Sequence, residues 1–183
     1  MNILFLGCSE KETTLIGFLK SRGHNLTCEK SKIDMFSNYD LVISFGYRFI
    51  IKQKHLKTLS RPIINLHASY LPYNRGAHPN FWSHYENTPS GVSIHEIDQG
   101  VDTGPLIFQR RVVFSNEEIS LRESYDLLKN NIEALFIENI EAIEQYAYHS
   151  RHLIDMGTIH KKDDLPNWVN WNITIKEIKQ KNE

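Results

Sequence analysis

Short apolar runs alternate with stretches of helical spacing along the first part of the chain, and few folds accommodate that alternation. Asn2-Ile-Leu-Phe-Leu-Gly7 reads as a strand closed by a glycine turn, after which Leu15, Phe18 and Leu19 recur at helical steps until Arg22-Gly23 stops the pattern. Leu26 to Cys28 and Leu41 to Phe45 read as short strands, Lys52 to Leu59 as a helix, and Pro62 to Leu66 as another strand. The order predicts an α/β fold with a mostly parallel sheet and helices packed on it.

From Ala68 to Pro79 the periodicity disappears, and Pro72, Asn74, Gly76 and Pro79 crowd together as only a loop tolerates. Functional groups often sit on such loops. A short helix is expected from Pro79 to Tyr85, then strands at Gly91 to Ile97 and Leu106 to Phe114 around the acidic, glycine-rich turn Asp98 to Gly104. Leu121, Tyr125, Leu128, Ile132, Leu135, Phe136, Ile140 and Ile143 follow at steps of three and four, an amphipathic face suited to lie against the sheet. Ser120 and Glu123 predict a capping box at its start. Residues 1–150 then form one catalytic domain, and residues 151–183 a short extension packed on or beside it, with no second core visible.

Composition removes several classes of function. Lys and Arg total 21 against 22 Asp and Glu, so the net charge is −1 and no basic field is available for a phosphate backbone; nucleic acid is not an expected partner. The first apolar run, Ile3 to Leu6, is far too short for a signal segment or a membrane span. Cys8 and Cys28 make neither a disulfide framework nor a zinc-ligand pair, which points to a reducing, cytoplasmic location. Nine histidines include His67, His78, His84 and His95 in mid-chain, yet none falls in a recognised ligand pattern, so no metal is expected. No Gly-x-Gly-x-x-Gly follows the first strand and no Gly-Lys-Ser/Thr loop occurs. There is no internal repeat or heptad run, which leaves a homodimer open.

Asn65 and His67 are two apart at the end of a strand, so both side chains share one face as the chain enters the irregular loop. In open α/β sheets ligands gather at that carboxyl edge. Asp102, in the later turn, reaches the imidazole if its flanking strands neighbour the Pro62 to Leu66 strand, a proximity that spacing alone does not fix.

Ile64-Asn-Leu-His-Ala-Ser-Tyr-Leu-Pro72, Asn74-Arg-Gly76, Gly91-Val-Ser-Ile-His95 and Val101-Asp-Thr-Gly104 together resemble the signature of folate-dependent formyltransferases, over most of Met1 to Val113. The resemblance implies a Rossmann-like twisted sheet with helices on both faces, 10-formyltetrahydrofolate as co-substrate, and Asn65, His67 and Asp102 as the catalytic set. Chain length, Arg75-Gly76, Pro79 with Phe81-Trp82, and Gly157-Thr-Ile-His-Lys-Lys162 are most similar to the short sugar N-formyltransferases, such as that of the pseudaminic acid pathway and the formylation domain of linear gramicidin synthetase. The implied acceptor is a nucleotide-linked aminosugar, with the 4-amino group of UDP-4-amino-4,6-dideoxy-L-AltNAc the leading expectation. By position, Phe49, Ile50, Ile51, Gln99 and Gly100 are implied at the folate, and Arg75, Asn80 and Trp82 at the acceptor. Ala68 and Tyr70 stand where many members carry Pro and Leu, a departure in the acceptor loop that leaves the polar trio intact.

Formyl transfer to an amine passes through a tetrahedral adduct whose oxygen gains negative charge. The Asn65 amide would donate to that oxygen, and an imidazole would take the proton that the amine releases. Asp102 would orient His67 and favour its charged form, so that a charged ring offers a second donor. No Gly-x-Ser-x-Gly elbow or Cys beside a His motif is present, as direct transfer requires. The alternatives are a glycinamide ribonucleotide transformylase-like enzyme, whose glycine-rich phosphate loop is missing after Gly7, and a formyltetrahydrofolate hydrolase. A methionyl-tRNA formyltransferase is disfavoured, since the charge is −1 and no second, basic domain is expected.

Overall fold

The computed structural model describes residues 1–182. In chain order the elements are β1 (Asn2–Leu6), α1 (Leu15–Ser21), β2 (Asn25–Glu29), β3 (Leu41–Phe45), α2 (Gln53–Leu56), β4 (Ile64–His67), β5 (Arg75–Gly76) and α3 (Pro79–Tyr85). They continue with β6 (Gly91–Glu96), β7 (Leu106–Arg111), α4 (Leu121–Glu138), α5 (Ile140–Glu144), β8 (Ile159–His160), a 3-10 turn at Lys162–Asp164 and α6 (Ile175–Gln180).

Six strands form one sheet in the order β2-β1-β3-β4-β6-β7. The pairings β2·β1, β1·β3 and β3·β4 are parallel, whereas β6 runs antiparallel to β4 and to β7. β1 is alternately buried on both sides. Ile3 and Phe5 pack with α1, α4 and α5, while Leu4 and Leu6 pack with Phe36, Ile51 and Ile63 on the other face. Gly7, with φ +97, lets the chain leave β1 beside β3, where an added Cβ would stand 2.3 Å from the Phe45 carbonyl oxygen.

The apolar alternation also sorts the middle strands. Ile64 and Leu66 of β4, with Val92 and Ile94 of β6, face the α1/α4 core. Asn65, His67, Ser93 and His95 therefore point the other way, and the register sets Asn65 opposite His95 and His67 opposite Ser93. The sheet thus has one locally polar face, roofed by the chain between β4 and α3.

Several boundaries differ from the sequence reading for local reasons. The Lys52 to Leu59 helix shrinks to Gln53–Leu56, because the Thr58 hydroxyl donates to the His55 carbonyl at 2.8 Å. The long amphipathic helix breaks at Asn139, whose carboxamide donates to Leu135 O at 2.8 Å, before α5 resumes the apolar stripe. β7 stops at Arg111 because its partner β6 begins at Gly91. The capping box is present, Ser120 accepting from the Glu123 amide while the Glu123 carboxylate accepts at Ser120.

The largest difference lies in the loop and the extension. Arg75–Gly76 is a strand, and β8 of the extension pairs with it in parallel. Ile178 is fully buried with Phe81, Trp82 and Leu121, and Leu165, Val169 and Ile173 pack beside them. This small apolar cluster escaped the sequence reading because three of its members sit on loops and carry no period.

Candidate active site

β4 ends in Asn65-Leu-His67, and the two-residue repeat of a strand sets both polar groups on the sheet's polar face. The turn between β6 and β7 folds back over that face. Its base is closed by Asp98, which accepts from Gly100 N at 2.9 Å and Thr103 Oγ1 at 2.6 Å. Asp102 sits in this turn at φ +51, a left-handed conformation that Asp tolerates better than most residues.

The bend brings Asp102 among partners that are remote in sequence. Its Oδ2 accepts from the Gly76 amide at 2.8 Å and lies 3.5 Å from His67 Nε2. Its Oδ1 accepts from Asn65 Nδ2 at 3.3 Å and stands 3.4 Å from His95 Nε2. His95 was not among the expected site residues. Its Nδ1 donates to the Glu96 carbonyl at 2.8 Å, which leaves Nε2 to accept from Asn65 Nδ2 at 3.0 Å. Both hydrogens of the Asn65 amide are therefore engaged, the longer bond being the one to Asp102. The polar alternation Ser93, His95 within an otherwise apolar strand carried a trace of this role; the cross-strand register that uses it did not exist in the sequence.

The loop above the site is anchored beneath. Ser93, fully buried, donates to Ser69 O at 2.7 Å and accepts from Leu71 N at 3.1 Å, and Gln109 donates to Leu71 O at 2.7 Å.

Burial governs the electrostatics. His67 is nearly enclosed, and loss of solvent pushes its imidazole below the ordinary value, against the opposing pull of the Asp102 carboxylate. Burial thus favours the neutral ring, while the Asp102 carboxylate favours the charged form, as expected of their pairing. Nε2 faces two acceptors, Asn74 O at 3.4 Å and Asp102 at 3.5 Å, so it holds the proton and leaves the lone pair on Nδ1. For Asp102, burial acts upward, but the His67 ring beside it and the Gly76 amide that donates to it outweigh burial and hold the carboxyl well below the usual range.

The residues expected at the folate divide. Phe49 and Ile50, just past β3, are 41% and 79% exposed, and Gln99 and Gly100 lie exposed in the Asp102 turn. The Ile51 side chain is packed in the core against Leu4, Leu6 and Val42. Apolar side chains left in solvent beside a polar site suit the face of a flat heterocycle.

The three residues expected at the acceptor are all buried. Arg75 lies in β5, donating to Val101 O at 3.4 Å, with its Nε unpartnered. Asn80 spends its carboxamide on Leu121 O at 2.9 Å and Ser124 Oγ at 3.0 Å, joining α3 to α4. Trp82 stacks on His160 at 4.0 Å between centroids. These side chains also brace the loop from inside, with Arg75 Nε and Trp82 Nε1 buried and without a partner. Among the described residues, no group of three or more His, Cys, Asp or Glu is arranged to hold a metal, and no helix is long and apolar enough to cross a membrane.

Comparison with known proteins gives the same outline. The chain is 36% identical to the formyltransferase PseJ of Anoxybacillus kamchatkensis, solved in complex with UDP-4,6-dideoxy-4-formamido-L-AltNAc and tetrahydrofolate, with a TM-score of 0.90 over 100% of both chains. It is 32% identical over 134 residues to the dTDP-4-amino-4,6-dideoxyglucose formyltransferase of Mycobacterium tuberculosis, covering 72% of this chain and 55% of that one. It is 31% identical over 160 residues to the methionyl-tRNA formyltransferase of Thermodesulfovibrio yellowstonii, covering 82% and 51%. The chain spans about half the length of these two curated relatives. The formyl transferase family model matches residues 8–139, the stretch that holds five of the six strands of the main sheet, all but β1, and on that match the chain belongs to the formyl transferase family.

Proposed function

We propose that the chain is an N-formyltransferase that moves the formyl group of 10-formyltetrahydrofolate to the 4-amino group of a nucleotide-linked aminosugar, UDP-4-amino-4,6-dideoxy-L-AltNAc. One observation carries the reading: Asn65, His67 and Asp102, up to 37 positions apart, meet on the polar face of the sheet. The choice of sugar is supported by full-length likeness to PseJ, whose structure holds the formamido form of that sugar with tetrahydrofolate.

In this reading the amine nitrogen attacks the formyl carbon, and a C–N bond forms as the carbonyl oxygen becomes an oxyanion. The Asn65 amide supplies a donor by exchanging its 3.3 Å bond to Asp102 for the growing charge. His67, neutral before the reaction, takes the proton released by the nitrogen. Asp102 stabilises the imidazolium that results. Collapse of the adduct breaks the bond to the folate nitrogen, which leaves as an amine after receiving the proton that His67 took, and this returns the ring to its neutral form. Phe49 and Ile50 cover the pterin, with Gln99 and Gly100 across from them in the turn that carries Asp102.

The test is an acceptor panel. Purified protein with 10-formyltetrahydrofolate is expected to release tetrahydrofolate only when the UDP-linked 4-aminosugar is added, with a mass gain of one formyl group on the sugar. Equal release with no acceptor would make the protein a hydrolase, and transfer to glycinamide ribonucleotide alone would make it a purine-pathway transformylase.

A further inference from the structure

The extension contributes to the site itself. Asn74 is fully buried with φ +56; its carbonyl faces His67 Nε2 at 3.4 Å, and two residues later the Gly76 amide donates to Asp102 at 2.8 Å. Asn tolerates the left-handed region better than most residues, and contacts on both sides select that conformation here. Thr158 lies on one side. Its hydroxyl accepts from Asn74 N at 2.8 Å and donates to Asn74 Oδ1 at 3.1 Å, while its carbonyl accepts from Arg75 N at 3.0 Å. The His160 carbonyl accepts from Ala77 N at 2.9 Å, and the Asn74 amide donates to Thr88 Oγ1 at 2.8 Å on the far side.

Resting on the formyl-transfer reading for its function, we propose that Thr158 is a positioning residue for the reaction. Through Asn74 it fixes at once the carbonyl that faces His67 and the amide that holds Asp102. A hydroxyl is required because the same group must accept from a backbone N–H and donate to a carboxamide oxygen; serine can do both and valine neither. The clasp joins residues 84 apart, with Asn74 inside and Thr158 outside the 8–139 stretch matched by the family model.

Thr158→Val and Thr158→Ser test it in the full chain, with three readouts: turnover, thermal unfolding and the NMR titration of the His67 ring. Thr158→Val is expected to remain folded, to lose kcat by about tenfold with KM for the folate unchanged, and to lower the His67 midpoint. The fall follows because Asp102 and the Asn74 carbonyl both favour the charged ring, and both are loosened. Thr158→Ser should restore both values. A His67 titration that stays in place or rises in Thr158→Val overturns the proposal, as does a kcat loss that only tracks the unfolded fraction. If Thr158→Val does not fold, Thr88→Val removes the acceptor on the other side of Asn74 and should lower the same midpoint; no change there also refutes the clasp. Failure of the wild type to formylate any aminosugar would remove the functional reading, while the titration would still decide the clasp.

Discussion

Replacing Asp102 by Asn keeps the shape of the side chain and removes its charge. The carboxylate lies 3.5 Å from His67 Nε2. At an effective dielectric near ~20, that separation corresponds to about 4.7 kcal/mol between full charges. If the proton is about half transferred in the transition state, the loss is about 2.4 kcal/mol, or roughly 60-fold in kcat; a fully formed imidazolium gives roughly 3,000-fold. The Gly76 amide at 2.8 Å can still bond the amide oxygen of Asn, so the fold should survive. The assay is kcat under saturating folate and aminosugar from pH 5 to 9, with thermal unfolding alongside. The acid limb has a fixed sign. A base must be unprotonated to act, so activity falls as pH drops through the His67 pKa, and removing the carboxylate that opposes burial moves this limb to lower pH. A kcat loss below about fivefold, or an acid limb that moves upward, would refute the claim that Asp102 stabilises the His67 imidazolium.

Asn65→Ala should lower kcat by about 10²–10³, the scale of one oxyanion donor, and unchanged turnover would mean that the oxygen is stabilised elsewhere. Gly76→Ala should destabilise by about 2 kcal/mol or more in urea, because its Cβ would stand 2.3 Å from the His160 carbonyl oxygen at φ +86; full stability would show that β5 and β8 separate freely. Glu133→Ala removes the buried carboxylate to which Thr13 donates at 2.8 Å and Thr14 also donates, and should cost about 2–3 kcal/mol of stability while folded molecules keep their turnover. Burial, with Lys179 nearby, pushes His84 down to about 4 from 6.5, so the unfolded chain binds the proton first. Stability should therefore fall as pH drops from about 6.5 towards 4, by up to about 3 kcal/mol, and His84→Gln should flatten that slope in urea titrations.

Much of the framework was legible because it is local. The two-residue spacing at the end of β4 already set Asn65 and His67 on one face of the strand. The helical repeat from Leu121, the Ser120 cap and the loop at Pro72 to Pro79 were equally readable, since each depends on residues a few positions apart. Even the position of Asp102 was named through its motif, though nothing in spacing brought it to His67.

Tertiary structure alone decided which distant groups meet. Asp102 reaches Asn65 across 37 positions because β6 runs antiparallel to β4 and its following turn folds back over the polar face. The same register makes His95 a partner of Asn65, and burial of that cluster lowers the His67 pKa. The buried surroundings of Arg75, Asn80 and Trp82 come from the pairing of β5 with β8 and the packing of α3 against α4 and the extension, none of which spacing shows. Thr158, read in a tail without periodicity, holds Asn74 from 84 positions away. Sequence periods report the face on which a side chain lies; the neighbour it meets there is chosen by register and by the free energy of closing the whole core, to which every element contributes together.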